Sequence, residues 1–433
     1  MKVTKLGAIV ASAVFVFAAC SNGGSATTAA SAGASAAAGG QPDVCKSKTG
    51  SSKEIHVYSS LPLQGTNTPQ TVPMTEQIKA TLDGQKIGDF TIKYTSLDDS
   101  SAAQNGNWDG AVEQANANKA ANDPDAMIYI GTFNSGAAKL SIPILNSACL
   151  VMISPANSYP GLTKAVTGVT QPGEPDSYYP NKYRNYSRVI NTDDNQGGAS
   201  SEWAFANGSK SAYVIDDGQT YGQGIGRAWA LHFGNIGGKV VSANGSSESY
   251  DVKATDFAAL AQKIKGSGAD TVFVGAITGN GTAKLWKDIK AANPTIAMYG
   301  PDGVNEKPWF DGAGTAANST YLTFGGVDVS QLTGTGKTWA DDYKTAHSGN
   351  QPPFYVAYGK AAAQIALAGL TKAATNDRWA VLQAVMGSSA IDSVIGPVTF
   401  DANGDAKGGV ISSYQVGTSW PPDYKGVITQ SKP

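Results

Sequence analysis

From residue 53 onward, short apolar runs rich in Val, Ile and Tyr alternate with longer stretches of helical periodicity. This alternation constrains the fold more than any single motif. Runs at 54–60, 90–96, 126–131 and 149–154 read as strands, with helices at 72–83, 109–121 and 135–147 between them. The pattern continues with strands at 187–190, 211–217, 239–244, 270–276, 295–300 and 320–326. Further helices fit 195–207, 219–235, 254–266, 279–292, 354–374 and 376–387, and Asp109 is placed to cap the helix it opens. Strands alternating with helices build parallel sheets covered on both faces. So many strands in roughly 380 residues exceed one such domain, which predicts an α/β fold of two doubly wound lobes.

In open α/β sheets ligands sit outside the carboxyl ends of the strands, so the loops there are where chemistry is sought. Six of them, "SSLPLQGTNTPQ", "YIGTFNSGA", "MISPANS", "VIDDGQTYGQG", "VGAITGNG" and "MYGPDGVN", are polar and Gly-rich, without His or Cys. The run Leu150–Ile153 ends abruptly in Ser-Pro-Ala-Asn-Ser-Tyr, a plain turn or a set of groups offered to a ligand. Motifs for catalysis and nucleotides fail one by one. "QLTGTGKT" (331–338) has Gln331 where a phosphate loop needs its first Gly, and no strand leads straight into it. "YGQGIG" (221–226) lacks the full dinucleotide pattern and reads as a helix starting close to a sheet. "DANGDAKGG" (401–409) begins like a calcium loop but has Ala406 and Ser412 at the key positions, so a tight turn between late strands is expected. The three histidines, His56, His232 and His347, are far apart, and no GxSxG or HExxH occurs. No enzyme activity, metal or cofactor is expected.

The net charge of −2 and the lack of a basic run after Lys5 speak against nucleic acid as a partner. Lys2 and Lys5 precede an apolar run from Leu6 to Ala19, too short to cross a bilayer and of the kind that directs export. "FAAC" (17–20) resembles a bacterial lipobox, which makes Cys20 the expected site of lipidation; plain secretion with a cut nearby is the alternative. Residues 21–52, largely Ser, Ala and Gly, are expected to form a disordered tether. Cys45 and Cys149 remain, and in an exported chain they predict one disulfide, two unpaired buried cysteines being the other reading.

Five segments in order, "MISPANSYPGLT" (152–163), "DDGQTYGQGI" (216–225), "DFAALAQKIKGSGADTVFVG" (256–275), "YGPDGV" (299–304) and "IGPVTFDANGDAKGG" (395–409), resemble the leucine/isoleucine/valine-binding protein family, type I periplasmic solute receptors of ABC importers. The resemblance spans residue 53 to about 418. It implies two Rossmann-like lobes, 53–190 with 325–395 and 191–324 with 396–430, that close by a hinge on a ligand. It also implies a ligand carboxylate held by Ser135, a backbone group at Ala156 and the Ser158 hydroxyl. The ammonium falls to Asp302 in "GPDG", with Tyr221 in the cleft and Asp193 beside the hinge. Where the family carries an aromatic after "VFVG", this chain has Ile277 or Thr278; Thr278 is a candidate ligand contact, and an aromatic lid is either missing or supplied by Phe354 or Tyr355. Gln64, Thr66 and Asn67 are further candidate contacts. The implied protein is a monomeric, lipid-anchored receptor outside the cell membrane that delivers a branched-chain amino acid, or a related amide or carboxylate, to ABC permease subunits. The alternatives are a ligand sensor of the same fold, or a receptor for urea, short amides or aromatic acids.

Overall fold

A strand buried on both faces needs an unbroken apolar run, and Ala126–Gly131, buried at every position, lies at the heart of a six-stranded sheet. The computed structural model describes residues 40–431. The predicted export signal, Cys20 and the tether up to residue 39 lie outside them.

The first sheet contains β1 (Glu54–Leu61), β2 (Lys86–Ile87), β3 (Phe90–Asp98), β4 (Ala126–Gly131), β5 (Val151–Ser154) and β6 (Tyr186–Arg188), in the order β2-β3-β1-β4-β5-β6. Only β2 runs antiparallel to its neighbour. It packs against α1 (Thr68–Leu82), α2 (Gly110–Asn122), α3 (Ser135–Ser147), α10 (Phe354–Ala373) and α11 (Arg378–Met386).

The second sheet holds β7 (Ser211–Asp216), β8 (Lys239–Val240), β10 (Thr271–Gly275), β11 (Ala297–Gly300), β12 (Tyr321–Phe324), β13 (Ile411–Gln415) and β14 (Asp423–Ile428), with β9 (Glu248–Ser249) beside β7. Its order is β14-β13-β12-β11-β10-β7-β8, antiparallel only at β13 and β14. Helices α4 (Asp193–Ala206), α5 (Thr220–Asn235), α6 (Ala258–Gly266), α7 (Thr282–Ala292) and α8 (Lys307–Ala313) belong to this side, and α9 (Gly334–Ala346) ties Trp339 to Gln77 of α1. No helix among the described residues is long and apolar enough to cross a membrane.

In each sheet the chain starts at an inner strand and winds outward both ways. The order reverses between β1 and β4 in one sheet and between β7 and β10 in the other. Crevices form at such switch points, at the carboxyl ends of the strands. Two glycines let backbones close in around them. A Cβ on Gly222 would strike the Gly275 carbonyl, so α5 starts directly against the sheet as "YGQGIG" predicts. A Cβ on Gly303 would lie 2.5 Å from Ala276 O and 2.7 Å from Tyr221 Cε1.

Several expectations shift. Residues 43–52, at the end of the predicted tether, are tied down: Gly50 N–H donates to Asn376 O at 2.8 Å and Ser51 N–H to Asp125 Oδ1 at 2.6 Å. Cys149 takes a left-handed turn (φ 57°), so the strand expected from 149 begins at Val151. The structure joins Cys149 to Cys45 in a disulfide. Residues 401–409 do form a turn, but isolated bridges such as Phe400 to Ala406 flank it instead of strands.

Candidate ligand-binding site

Between the two sheets lies a cavity of about 30 Å³, on a measure by which one water needs roughly 10–15 Å³. Loops from both switch points line it: Asn67 after β1, Asn134 and Ser135 after β4, Tyr221 after β7 and Ile277 after β10. The next strands complete it with Ala156 and Ser158 after β5 and with Asp302 and Glu306 after β11. Phe133 and Tyr355 close one side, their rings 5.1 Å apart at 67°.

On one wall α3 begins at Ser135. Its cap residue, Asn134, makes no side-chain cap bond, and Asn134 Oδ1 is buried without a partner. Free N–H groups at a helix start favour an anion. Ser135 Oγ accepts from Tyr159 N–H at 3.3 Å, which leaves its own proton available. Ser158 presents its hydroxyl here while its carbonyl accepts from Asp193 N–H at 2.9 Å. Ala156 lines the cavity, but its N–H is not free as the resemblance implied. It donates to Ser154 Oγ at 3.1 Å, because Ser154 folds back at the strand end and also accepts from Asn157 N–H at 2.8 Å.

Arg188 holds this loop from behind. Fully buried on β6, it pairs with Asp405 at 2.7 Å and donates to the carbonyls of Asn157 (3.2 Å) and Tyr159 (2.7 Å) and to the Thr163 hydroxyl. Removing one partner of a buried pair leaves the other charge stranded. Arg188→Ala is therefore expected to cost about 3–5 kcal/mol in urea unfolding, with Asp405→Asn milder because the arginine keeps its carbonyls.

The opposite wall is acidic. Asp302 accepts from Gln196 Nε2 at 2.5 Å and from the Tyr355 hydroxyl. Burial pushes its carboxyl up, while those two donors pull it back. Asp193 stands in the first turn of α4, just behind the lining. It is fully buried, and among the described residues neither carboxylate oxygen has a hydrogen-bond partner of normal geometry. Burial and the Asp302 charge push it up, opposed by the Ser158 hydroxyl and Arg188. Tyr221 OH accepts from Gly303 N–H at 3.2 Å. Among the described residues the lining contains no Lys, Arg or His.

Sequence reasoning did not identify Glu306. Burial and the Asp302 charge raise its carboxyl to about 8 against the pull of the Thr278 hydroxyl, and its Oε2 is buried without a partner. A carboxyl that folds with a raised pKa binds more protons than the unfolded chain, so stability falls as pH rises from the ordinary glutamate value through the folded one. Gln mimics the protonated form. Glu306→Gln is thus expected to melt above the parent at pH 8.5 and to match it at pH 5, in paired thermal scans.

The structure brings Ser135, Ala156, Ser158, Tyr221 and Asp302 around one cavity, with Asp193 directly behind. Thr278 is displaced from the expected set. Its N–H and hydroxyl both go to Gly303 O, at 2.8 and 3.2 Å, so it braces the Asp302 loop while Ile277 reaches the cavity. Of the two candidate lids it is Tyr355 that lines the site; Phe354 packs on Phe324 and Tyr414. Asn67 lines the cavity, whereas Gln64 is exposed and bonded to Asp98.

Residues 75–418 match the family described as periplasmic binding protein. A Leu/Ile/Val-binding protein homolog from Brucella suis biovar 1 is 25% identical over 292 residues, covering 66% of this chain and 74% of its own. A leucine-binding protein from Thermotoga maritima superposes with a TM-score of 0.74 at 20% identity, over 86% of this chain and 98% of its own. A solute-binding protein of an ABC transporter from R. palustris, in complex with benzoate, superposes at 0.68 with 20% identity, over 86% and 96%. At these identities the two structures establish the shared fold.

Proposed function

The chain belongs to the periplasmic binding protein family, and from that premise we propose that its cleft binds an α-amino acid of the branched-chain type and delivers it to an ABC permease. One observation carries the ligand class: an uncapped helix start with two serine hydroxyls shares with the buried Asp302 a cavity whose lining holds no cation among the described residues, and Asp193 lies buried behind Ser158. A zwitterion satisfies both walls at once. Its carboxylate takes the Ser135 and Ser158 hydroxyls and the α3 N–H groups, and its ammonium takes Asp302 and Asp193. Ile277, Phe133 and Ala156 supply apolar surface for the side chain. Affinity comes from preorganised hydrogen bonds in a space that closing lobes dry out. Trp108 Nε1 bonds Gln219 Oε1 at 3.1 Å, joining the segment before α2 to the start of α5 across the cleft mouth, as a closed form needs.

Ser135→Ala and Ser158→Ala are each expected to weaken L-leucine binding by about 1–3 kcal/mol in calorimetry. Unchanged affinity in the double variant would remove the serines from the carboxylate site. The rings of Phe133, Tyr221 and Tyr355 favour an aromatic carboxylate as a second reading, in line with the benzoate-bound relative. Such a ligand leaves Asp302 and Asp193 facing no cation, and therefore ranks lower.

Outside the described residues, the proposal places a diacyl anchor on Cys20, so that a monomeric receptor stays tethered to the outer face of the membrane. Cys20→Ser should release it into the soluble fraction on cell fractionation. The lobes that close are taken as 53–190 with 325–395 and 191–324 with 396–430.

A further inference from the structure

Glu306 sits where a helix cap belongs. It directly precedes α8, yet its side chain makes no cap bond and lines the cavity instead. Pro308 follows closely, and Lys307 is committed to Asp311 at 2.6 Å, so the adjacent cation does not neutralise it. The titratable groups that share its cavity are acids or phenols: Asp302 from its own loop, Tyr221 from α5 and Tyr355 from α10, with Asp193 of α4 beyond Asp302.

Charge counting then points beyond the α-ammonium. With the ligand's own carboxylate and an ionised Asp302 present, one ammonium leaves the cleft negative even before Asp193 or Glu306 ionises. A buried carboxylate with an unpartnered oxygen is costly unless it is paired or protonated. We infer that Glu306 is a second cation subsite, through which the receptor takes amino acids with a cationic side chain as well as aliphatic ones. As a neutral carboxyl it tolerates an apolar side chain. As a carboxylate it receives an ammonium.

This inference rests on the amino-acid reading above and assigns a selectivity to the same cleft. L-lysine and L-norleucine test it, since they share a backbone and a four-carbon chain and differ by the terminal ammonium. A cation that lowers the pKa of Glu306 couples binding to proton release, so lysine gains as pH rises toward about 8. Calorimetry on the intact protein is expected to show the norleucine-to-lysine Kd ratio rising at least tenfold between pH 6 and 8.5. At pH 7.5, paired buffers of different ionisation enthalpy should report proton release with lysine and none with norleucine. Glu306→Gln should flatten the pH dependence of the ratio and weaken lysine at least tenfold more than norleucine; if that variant does not fold, the wild-type ratio and proton count decide. Norleucine binding with lysine more than a hundredfold weaker at both pH values, and a flat ratio, overturns the subsite and leaves the amino-acid reading intact. A lysine affinity indifferent to Glu306→Gln overturns the assignment to this residue. If neither of them nor L-leucine binds, the amino-acid reading fails and takes the subsite with it.

Discussion

Asp302→Ala is expected to weaken L-leucine binding by at least a hundredfold, about 3 kcal/mol or more, because truncating one partner of a buried, hydrogen-bonded charge pair costs about 2–5 kcal/mol. The magnitude follows from how the carboxylate is held. Gln196 Nε2 reaches it at 2.5 Å while also donating to Thr323 Oγ1 at 3.1 Å, and the Tyr355 hydroxyl takes the other oxygen. Two donors from different helices fix the acceptor before any ligand arrives, so little ordering cost remains at binding. The same geometry predicts the opposite sign for stability. Burial pushes the Asp302 carboxyl up from its ordinary value against the pull of Tyr355 and Gln196, so its ionisation opposes folding. Asp302→Asn should therefore lose ligand yet melt no lower than the parent at pH 7.5. Calorimetry and thermal scans on one preparation check both halves, and a loss of both together would mean that the residue serves the fold first.

The second large effect lies in the other sheet, at the end of β5 away from the cavity. Removing the Cys45–Cys149 disulfide is expected to cost about 2–5 kcal/mol, toward the upper part of that range because the closed loop is long. The two residues lie 104 apart in sequence, and both are fully buried. The bridge pins residues 43–52 beside the turn that feeds β5, and β5 ends at the Ala156 and Ser158 loop. Cys45→Ala, Cys149→Ala and the double variant should lose similar amounts in urea unfolding, since each removes the same bond. Ligand affinity at 20 °C should hold, because Arg188 positions the binding loop independently through the carbonyls of Asn157 and Tyr159.

What was legible in the chain followed from period and punctuation. Helices 135–147 and 219–235 read within a residue of α3 and α5, because buried apolar positions recur at helical spacing between Gly- and Asn-rich loops. Elements with a weak apolar signal escaped. The β14 strand is half-solvated, with exposed and partly buried residues alternating, and β13 is spelled by Ser-Ser-Tyr-Gln. Helix α8 has seven residues including Pro and Gly, and α9 buries little beyond Ala340 and Tyr343.

The site divides in the same way. Ser135, Ser158, Tyr221 and Asp302 lie in loops at strand ends, where topology alone directs attention. Gln196 acts from inside a helix, reaching Asp302 because α4 packs on β12, and no local pattern announces such a contact. Thr278 stands where the resemblance implies a ligand contact, but its N–H and hydroxyl go to Gly303 O. Glu306 did leave a trace: an acid four residues after Asp302, in a cap position where Ser, Thr, Asp or Asn is preferred.

The central claim is that both ends of a zwitterion are gripped at once. Calorimetric titration with L-leucine, 4-methylpentanoate, isopentylamine and benzoate tests it most directly. The account predicts that leucine binds and that the deaminated and decarboxylated analogues each fall at least a hundredfold, with benzoate as weak. Equal or tighter binding of 4-methylpentanoate or benzoate would contradict it, because the acidic wall would then have no part in holding the ligand.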